Sequence, residues 1–219
     1  MVEASNQALK PVSDYANTVI EMQKTKNSRI ILGITGAPAA GKSTFADDLV
    51  RAINQISNSE MAIVVPMDGF HYSNEFLTSL GLLALKGIPA TFDAQGFVET
   101  IAKIKSTNEH SVFCPLFDRS IEASIQDAIE VKPQHKIVVS EGNYLLLSEA
   151  PWNKLRDLFD QIWYIDAELE TLIPRLISRH EAGGRNDLQA KEKMDSTDIP
   201  NAKLIHSTRA RADQQIRLY

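Results

Sequence analysis

Cysteine is nearly absent: Cys114 is the only thiol among 219 residues. A single thiol excludes an intrachain disulfide and any multi-cysteine metal site. A surplus of basic residues is missing too. The net charge is −5, whereas general nucleic-acid binders are more often basic, so no nucleic-acid partner is expected. No apolar run approaches the ~20 residues of a membrane span, and no membrane partner is expected. Met1 to Lys10 carries Glu3, Asn6 and Gln7 and no apolar core of a secretory signal, so a cytoplasmic protein is the expectation. His110, His135, His180 and His206 fall at no ligand spacing, so no transition-metal site is expected. Internal repeats and low-complexity segments are also lacking.

What remains is an ordinary globular composition, 43% hydrophobic and 23% charged, with enough length for one sizeable α/β domain. The most informative stretch is Gly36-Ala37-Pro38-Ala39-Ala40-Gly41-Lys42-Ser43-Thr44. Gly36 to Ser43 spells G-x-x-x-x-G-K-S, a phosphate-binding loop. An apolar run (Ile30, Ile31, Leu32, Ile34) precedes it and a helix-capable segment to Ile56 follows. Glycines there let successive N–H groups converge on one anion, and the helix adds its positive end. Lys42 is expected to reach the β and γ phosphates of ATP, and the Ser43 hydroxyl to hold Mg²⁺.

The rest of the chain supplies the elements of a mainly parallel sheet. Pro11 to Lys26 reads as an amphipathic helix within an N-terminal 1–28 segment, with Ser13 as a candidate cap. Met61–Val65, Lys136–Ser140 and Gln161–Ile165 read as buried strands, and Val112–Phe117 as a short one. Phe97 to Ile104 reads as a helix capped by Asp93, and Glu168 to His180 as another, bent or started at Pro174. Glu181 to Pro200 reads as a polar, mobile loop, and Asn201 to Leu218 as a closing helix. Residues 86–131 do not form a simple βαβ unit and read as an acceptor-side insertion. The fold class is α/β: a three-layer α/β/α P-loop NTPase domain over residues 1–219, with a lid at 181–200.

In such sheets ligands sit beyond the carboxyl ends of the strands. Asp68, Glu141 and Asp166 end strands there. Asp68, released by Gly69, can take a hydroxyl proton or help hold the metal; the alternative is a turn-forming Asp-Gly pair. Glu141 after KIVVS resembles a metal-directed acid. Asp166 reads as a helix cap. Phe70-His71-Tyr72 supplies an aromatic wall, with His71 as a pocket-lining candidate. Arg175 and Arg179, four residues apart, share a helix face and can clamp a transferring phosphoryl, with Arg185 just beyond. Asp118-Arg119 suggests contact with a polar substrate, or a surface ion pair. A guanine switch would need N-K-x-D, but Asn153-Lys154-Leu155-Arg156 ends in Arg, and Asp93-Ala94-Gln95-Gly96 follows no strand.

Together, GITGAPAAGKST, VVPMDGFHYSN, KGIPATFDAQGF, CPLFDRSIE, VVSEGNYLLL, RLISRH and DIPNAKLI resemble the uridine kinase, pantothenate kinase and phosphoribulokinase group of phosphate-loop kinases. Within it the chain is most similar to a bacterial nucleoside kinase-like or fructokinase-like branch. The resemblance implies ATP-to-hydroxyl transfer with Lys42 and Ser43 at the nucleotide, Asp68 as base and Glu141 near the metal. It places Arg175, Arg179 and, less directly, Arg185 on the phosphates. Lys86, Asp93, Arg119 and Asn143 fall in its acceptor-side blocks. Phe117-Asp118-Arg119 replaces the histidine motif of uridine kinases. The expected acceptor is therefore a small hydroxyl compound, such as a ketohexose or a nucleoside. A pantothenate- or glycerate-type kinase and a nucleotide-binding regulator without turnover are the alternatives. A homodimer is compatible with the reading.

Overall fold

The computed structural model describes residues 10–218. Helix α1 (Val12–Lys26) leads into strand β1 (Ile30–Gly36), whose seven residues are all buried. A continuous apolar run suits a strand covered on both faces. The phosphate loop then opens helix α2 (Lys42–Ser57). Strand β2 (Ala62–Val64) precedes a 3-10 turn (Met67–Phe70), the short helix α3 (Asn74–Ser79) and helix α4 (Ala94–Ser106). Strands β3 (Val112–Asp118) and β4 (Ala123–Val131) follow, then β5 (Ile137–Glu141), helix α5 (Leu155–Leu158) and β6 (Gln161–Asp166). Helices α6 (Leu169–Ala182), α7 (Asp187–Lys193) and α8 (Ile199–Ser207) and strand β7 (Gln214–Arg217) complete the described chain.

The main sheet has five strands in the order β2-β5-β1-β6-β7, each pair parallel. Alternate residues feed opposite faces. Ile30, Leu32 and Ile34 of β1 pack with α1 and α2 residues such as Val19, Phe45 and Leu49. Ile31 faces the other layer with Phe97, Ile101 and Ile104 of α4. The expected three-layer α/β/α architecture is the one observed. β3 and β4 form a separate antiparallel hairpin inside the expected insertion.

The chain departs from the sequence reading in four places. Ser13 does not cap α1; Pro11 occupies the N-cap with no side-chain bond. Asp166 does not cap α6; it accepts from Arg217 Nε at 3.3 Å, and Glu168 stands at the cap position. Most of the 181–200 stretch is helical. Asn186 and Gln189 form a reciprocal capping box for α7, and a π turn (Met194–Asp198) carries the chain into α8. Ala190, Met194 and Thr197 give this stretch a buried face. The closing helix stops at Ser207, because Ile216 is buried in a parallel register with Ile165 of β6. Asp213 immediately precedes that strand: it holds Arg156 through paired bonds of 2.6 Å and accepts from Ile162 N at 2.7 Å.

Arg29 ties the layers together just before β1. Its buried guanidinium donates to the carbonyls of His135 (2.8 Å), Ile104 (2.9 Å), Thr107 (2.5 Å) and Lys132 (2.9 Å). It thereby caps the C-terminal end of α4 and clamps the turn between β4 and β5 onto the start of β1. Arg29→Met is expected to lower unfolding free energy by about 2–4 kcal/mol, since buried carbonyls lose a charged donor. Urea unfolding at unchanged m-value measures this. A loss below about 0.5 kcal/mol would mean that water replaces the clamp.

Candidate active site

The site is built at the carboxyl end of the parallel sheet. Beyond β1 the loop curls through left-handed backbone conformations. Ala39 has φ +63° and Gly41 φ +94°, the left-handed region in which glycine carries little strain. Ala40 N bonds back to Ala37 O at 3.1 Å, closing the curl. No side chain caps α2, so its leading N–H groups are left to an incoming anion. Lys42 is buried, and its Nζ donates to Ala37 O at 2.9 Å. Burial lowers its pKa to about 8, against the opposing pull of Glu141 and Asp68. The ammonium thus lies within the curl that a polyphosphate would occupy.

Glu141 ends β5, beside β1. Ser43 Oγ donates to Glu141 Oε1 at 3.0 Å. Burial raises the Glu141 pKa to about 7, and the Asp68 charge adds to the rise. Lys42, the Ser43 bond and Arg119 act in the opposite direction. Asp68 lies in the 3-10 turn after β2 and pairs with Arg119 Nη2 at 3.2 Å. Arg119 is 59% exposed, so the pair contributes at most about 1 kcal/mol and can be exchanged. A cleft of about 200 Å³ is lined by Ser43, Asp68, Glu141, Phe117 and Arg119 among others. Gly69 sets its width: a Cβ there would stand 2.2 Å from Pro115 O, so only glycine lets the β3–β4 hairpin approach Asp68 this closely.

The donor set fits the expected Mg²⁺. A serine hydroxyl and a carboxylate within hydrogen-bond distance are hard oxygen ligands of the type this ion selects. A buried carboxyl with a raised pKa would gain from a nearby cation.

Of the acceptor-side candidates only Arg119 lines this cleft; His71 and Lys86 reach its Phe117 wall, and Asp93 and Asn143 lie outside the lining. His71 stacks on Phe92, ring centres 3.8 Å apart, and its Nδ1 lies 3.3 Å from Thr91 O. Burial lowers its pKa to about 4, so the ring is neutral near pH 7. Lys86 donates to Asn74 Oδ1 at 2.8 Å and Glu122 O at 3.0 Å, and its Nζ lies 4.8 Å from the centre of the Phe117 ring. Asp93 spends one carboxylate oxygen on capping α4 through Gly96 N at 2.9 Å. Asn143 follows Glu141 by two residues, and its carbonyl accepts from Thr35 Oγ1 at 3.1 Å. Arg175 and Arg179 lie on α6. Desolvation lowers the Arg179 pKa, as does Arg119, while Asp68, Asp198 and Glu122 pull it up. Arg179 thus feels the same charges as the cleft. Arg185 is tied back to α6, its Nη1 3.3 Å from His180 Nδ1.

Several residues that contact Lys86 or Gly87 escape sequence reasoning. Tyr144 donates to Gly87 O, and Asn201 Nδ2 donates to the same carbonyl at 3.0 Å. The hydroxyl of Tyr144, set in the apolar run YLLL, was a signal, because a buried phenol needs a partner. Glu122 and Lys193 gave no signal.

No protein-family model matches the chain. A Schizosaccharomyces pombe protein, provisionally named a uridine kinase, is 34% identical over 211 residues, covering 92% of this chain and 89% of that protein. A solved structure from Silicibacter sp. TM1040, provisionally described as a fructose transport system kinase, superposes with a TM-score of 0.85 at 33% identity, covering 94% of this chain and 98% of that one. A pantothenate kinase of Bacillus velezensis is 30% identical over 163 residues, which is 71% of this chain and 51% of that enzyme. With its phosphate loop at the end of β1 and its parallel sheet, this chain belongs to the group of P-loop ATP-dependent kinases that holds uridine kinase-like and pantothenate kinase proteins.

Proposed function

We infer that this kinase moves the γ-phosphoryl group of ATP to a hydroxyl of a small polyol, a ketohexose-type sugar or a nucleoside. The single observation that carries the reading is the shared cleft: Asp68 opens onto the same 200 Å³ space as Ser43 and Glu141, at the mouth of the phosphate loop. The provisional descriptions of its relatives, one as a uridine kinase and one as a fructose transport system kinase, support that acceptor class.

The residues divide the work. The 36–44 amides and Lys42 hold the phosphates and offset their charge. Ser43 and Glu141 hold Mg²⁺, which when bound neutralises charge on the phosphate oxygens. Asp68 accepts the hydroxyl proton while the oxygen attacks phosphorus and the bond to the leaving ADP breaks. For this, Arg119 must release Asp68, which an exposed guanidinium does at small cost. Arg175 and Arg179 steady the transferring group from α6, and His71, Lys86, Asp93 and Asn143 line the acceptor side. The neutral His71 ring can hydrogen-bond a hydroxyl without adding charge. Arg119 and Lys86 beside the cleft favour a second reading, a carboxylate-bearing acceptor of the pantothenate or glycerate type.

A panel of ketohexoses, nucleosides, pantothenate and glycerate, assayed with ATP and Mg²⁺ for ADP release, decides among these acceptors. ADP formation that rises with a sugar or nucleoside supports the first reading, and a carboxylate acceptor supports the second. Binding of ATP with no turnover across the panel would favour a regulator.

Two substitutions test the roles. With the acceptor that emerges, Asp68→Asn is expected to cut kcat by roughly 10²–10⁴-fold while ATP titration stays near normal. Unchanged kcat would remove Asp68 as base. Lys42→Ala is expected to weaken nucleotide binding as well as rate, and normal ATP affinity in that variant would remove Lys42 from the phosphates.

A further inference from the structure

Lys193 lies in the stretch that the sequence reads as a loop, and the chemistry above does not use it. It is the last residue of α7, directly before the π turn. Its ammonium crosses to the loop at 84–88 and donates to Ala84 O and Lys86 O, each at 2.9 Å. Fixing a lysine side chain against two main-chain carbonyls costs rotamer entropy. A bond of this kind joins two elements rather than solvating one. Desolvation lowers its pKa, as do Arg185 and Lys86, while Asp198 and Glu122 pull it up.

Two series of contacts flank Lys193. On the lid side, His180 Nε2 lies 2.6 Å from Asp198 Oδ2, which joins the last turn of α6 to the π turn. Arg179 precedes His180 on that helix. On the acceptor side, Lys86 reaches Glu122 and the Phe117 ring of the hairpin. Arg119 of the same hairpin reaches Asp68 at 3.2 Å. Asn201 on Gly87 O is a second, neutral strut beside Lys193.

We propose that Lys193 is a positioning residue that couples the arginine-bearing helix α6 to the acceptor loop at 84–88, so that nucleotide bound at residues 36–44 orders the acceptor side before the acceptor arrives. This rests on the nucleotide reading of the phosphate loop. Contiguity alone is not coupling; the coupling lies in a loop whose main-chain carbonyls are held by the lid and whose lysine holds the hairpin. Binding energy spent on ATP is then used to organise the acceptor pocket.

Hydrogen–deuterium exchange on the full chain tests it without knowledge of the acceptor. The probe is the non-hydrolysable analogue AMP-PNP with Mg²⁺. In the natural protein the analogue is expected to slow exchange at 36–44, and by roughly tenfold at 83–88 and 116–124 as well. In Lys193→Met, of similar length but without donors, protection at 36–44 is expected to persist while that at 83–88 and 116–124 falls below about twofold. Lys193→Arg, which keeps the charge and the paired donors, is expected to restore it. Equal transmission in Lys193→Met, no transmission in the natural protein, or no restoration by arginine would each overturn the coupling. Absence of protection at 36–44 in every protein would instead overturn the nucleotide reading, and the coupling with it.

Discussion

Opposite charges buried beside the phosphate loop are the constraint on which the rest of the molecule depends. Lys42 and Glu141 are both nearly inaccessible to solvent. Taking an ammonium and a carboxyl out of water costs several kcal/mol each unless good partners replace the water. Their direct hydrogen bonds are modest: Lys42 holds a neutral carbonyl, and Glu141 a hydroxyl. Burial accordingly drives the two pKa values toward each other, to about 8 and about 7. Each group would be better satisfied by a charged ligand, the ammonium by phosphate and the carboxylate by a cation. A polyphosphate with a divalent ion answers both at once. The fold carries this local instability as the counterpart of its function.

That pairing dictates strand order. Glu141 must come from a strand adjacent to β1, and the sheet places β5 there, with Ile34 opposite Glu141. Asp68 must approach from the far side of Glu141, and β2 is the next strand out, paired with β5. The order β2-β5-β1 therefore sets two carboxylates and one hydroxyl around a single cleft. Parallel pairing brings the relevant strand ends to one edge, so short segments suffice to present Ser43, Glu141 and Asp68. Arg29 secures the opposite end, where the β4–β5 turn and the end of α4 meet the start of β1.

Much of this was legible in the sequence, and the failures share a cause. The apolar runs at 30–34, 61–65, 136–140 and 161–165 contain β1, β2, β5 and β6, because largely buried parallel strands advertise themselves by composition. The phosphate loop and the Asp93 cap were readable because each rests on local backbone chemistry. β7 was not readable: QQIR has one apolar residue, and its strand character comes from pairing with β6. Helix α7 was missed for a related reason. Its stretch is polar, and Ala190, Met194 and Thr197 acquire their buried environment only in the assembled molecule. In the cleft, the nucleotide-side residues sit in a motif of fixed spacing. The meeting of Arg119 with Asp68 needed tertiary contact across 51 positions, which no periodicity reports.

The division between a legible and an illegible half of the site has a physical basis that bears on specificity. Phosphate binding uses main-chain amides and so tolerates little variation. In the proposed function acceptor recognition falls to the β3–β4 hairpin, and a two-stranded hairpin alone is marginally stable. This one is held at its base, where Val112, Cys114 and Val131 are buried in the core and Pro115 closes on Gly69. Its far end is free of that demand: Arg119, Ile121 and Glu122 are exposed. Substitutions there can change what lies against Asp68 without loosening the sheet or the phosphate loop. One phosphoryl-transfer frame can therefore serve different acceptors by changes at the hairpin tip. On that proposal the acceptor is decided by a few side chains set against a fixed carboxylate.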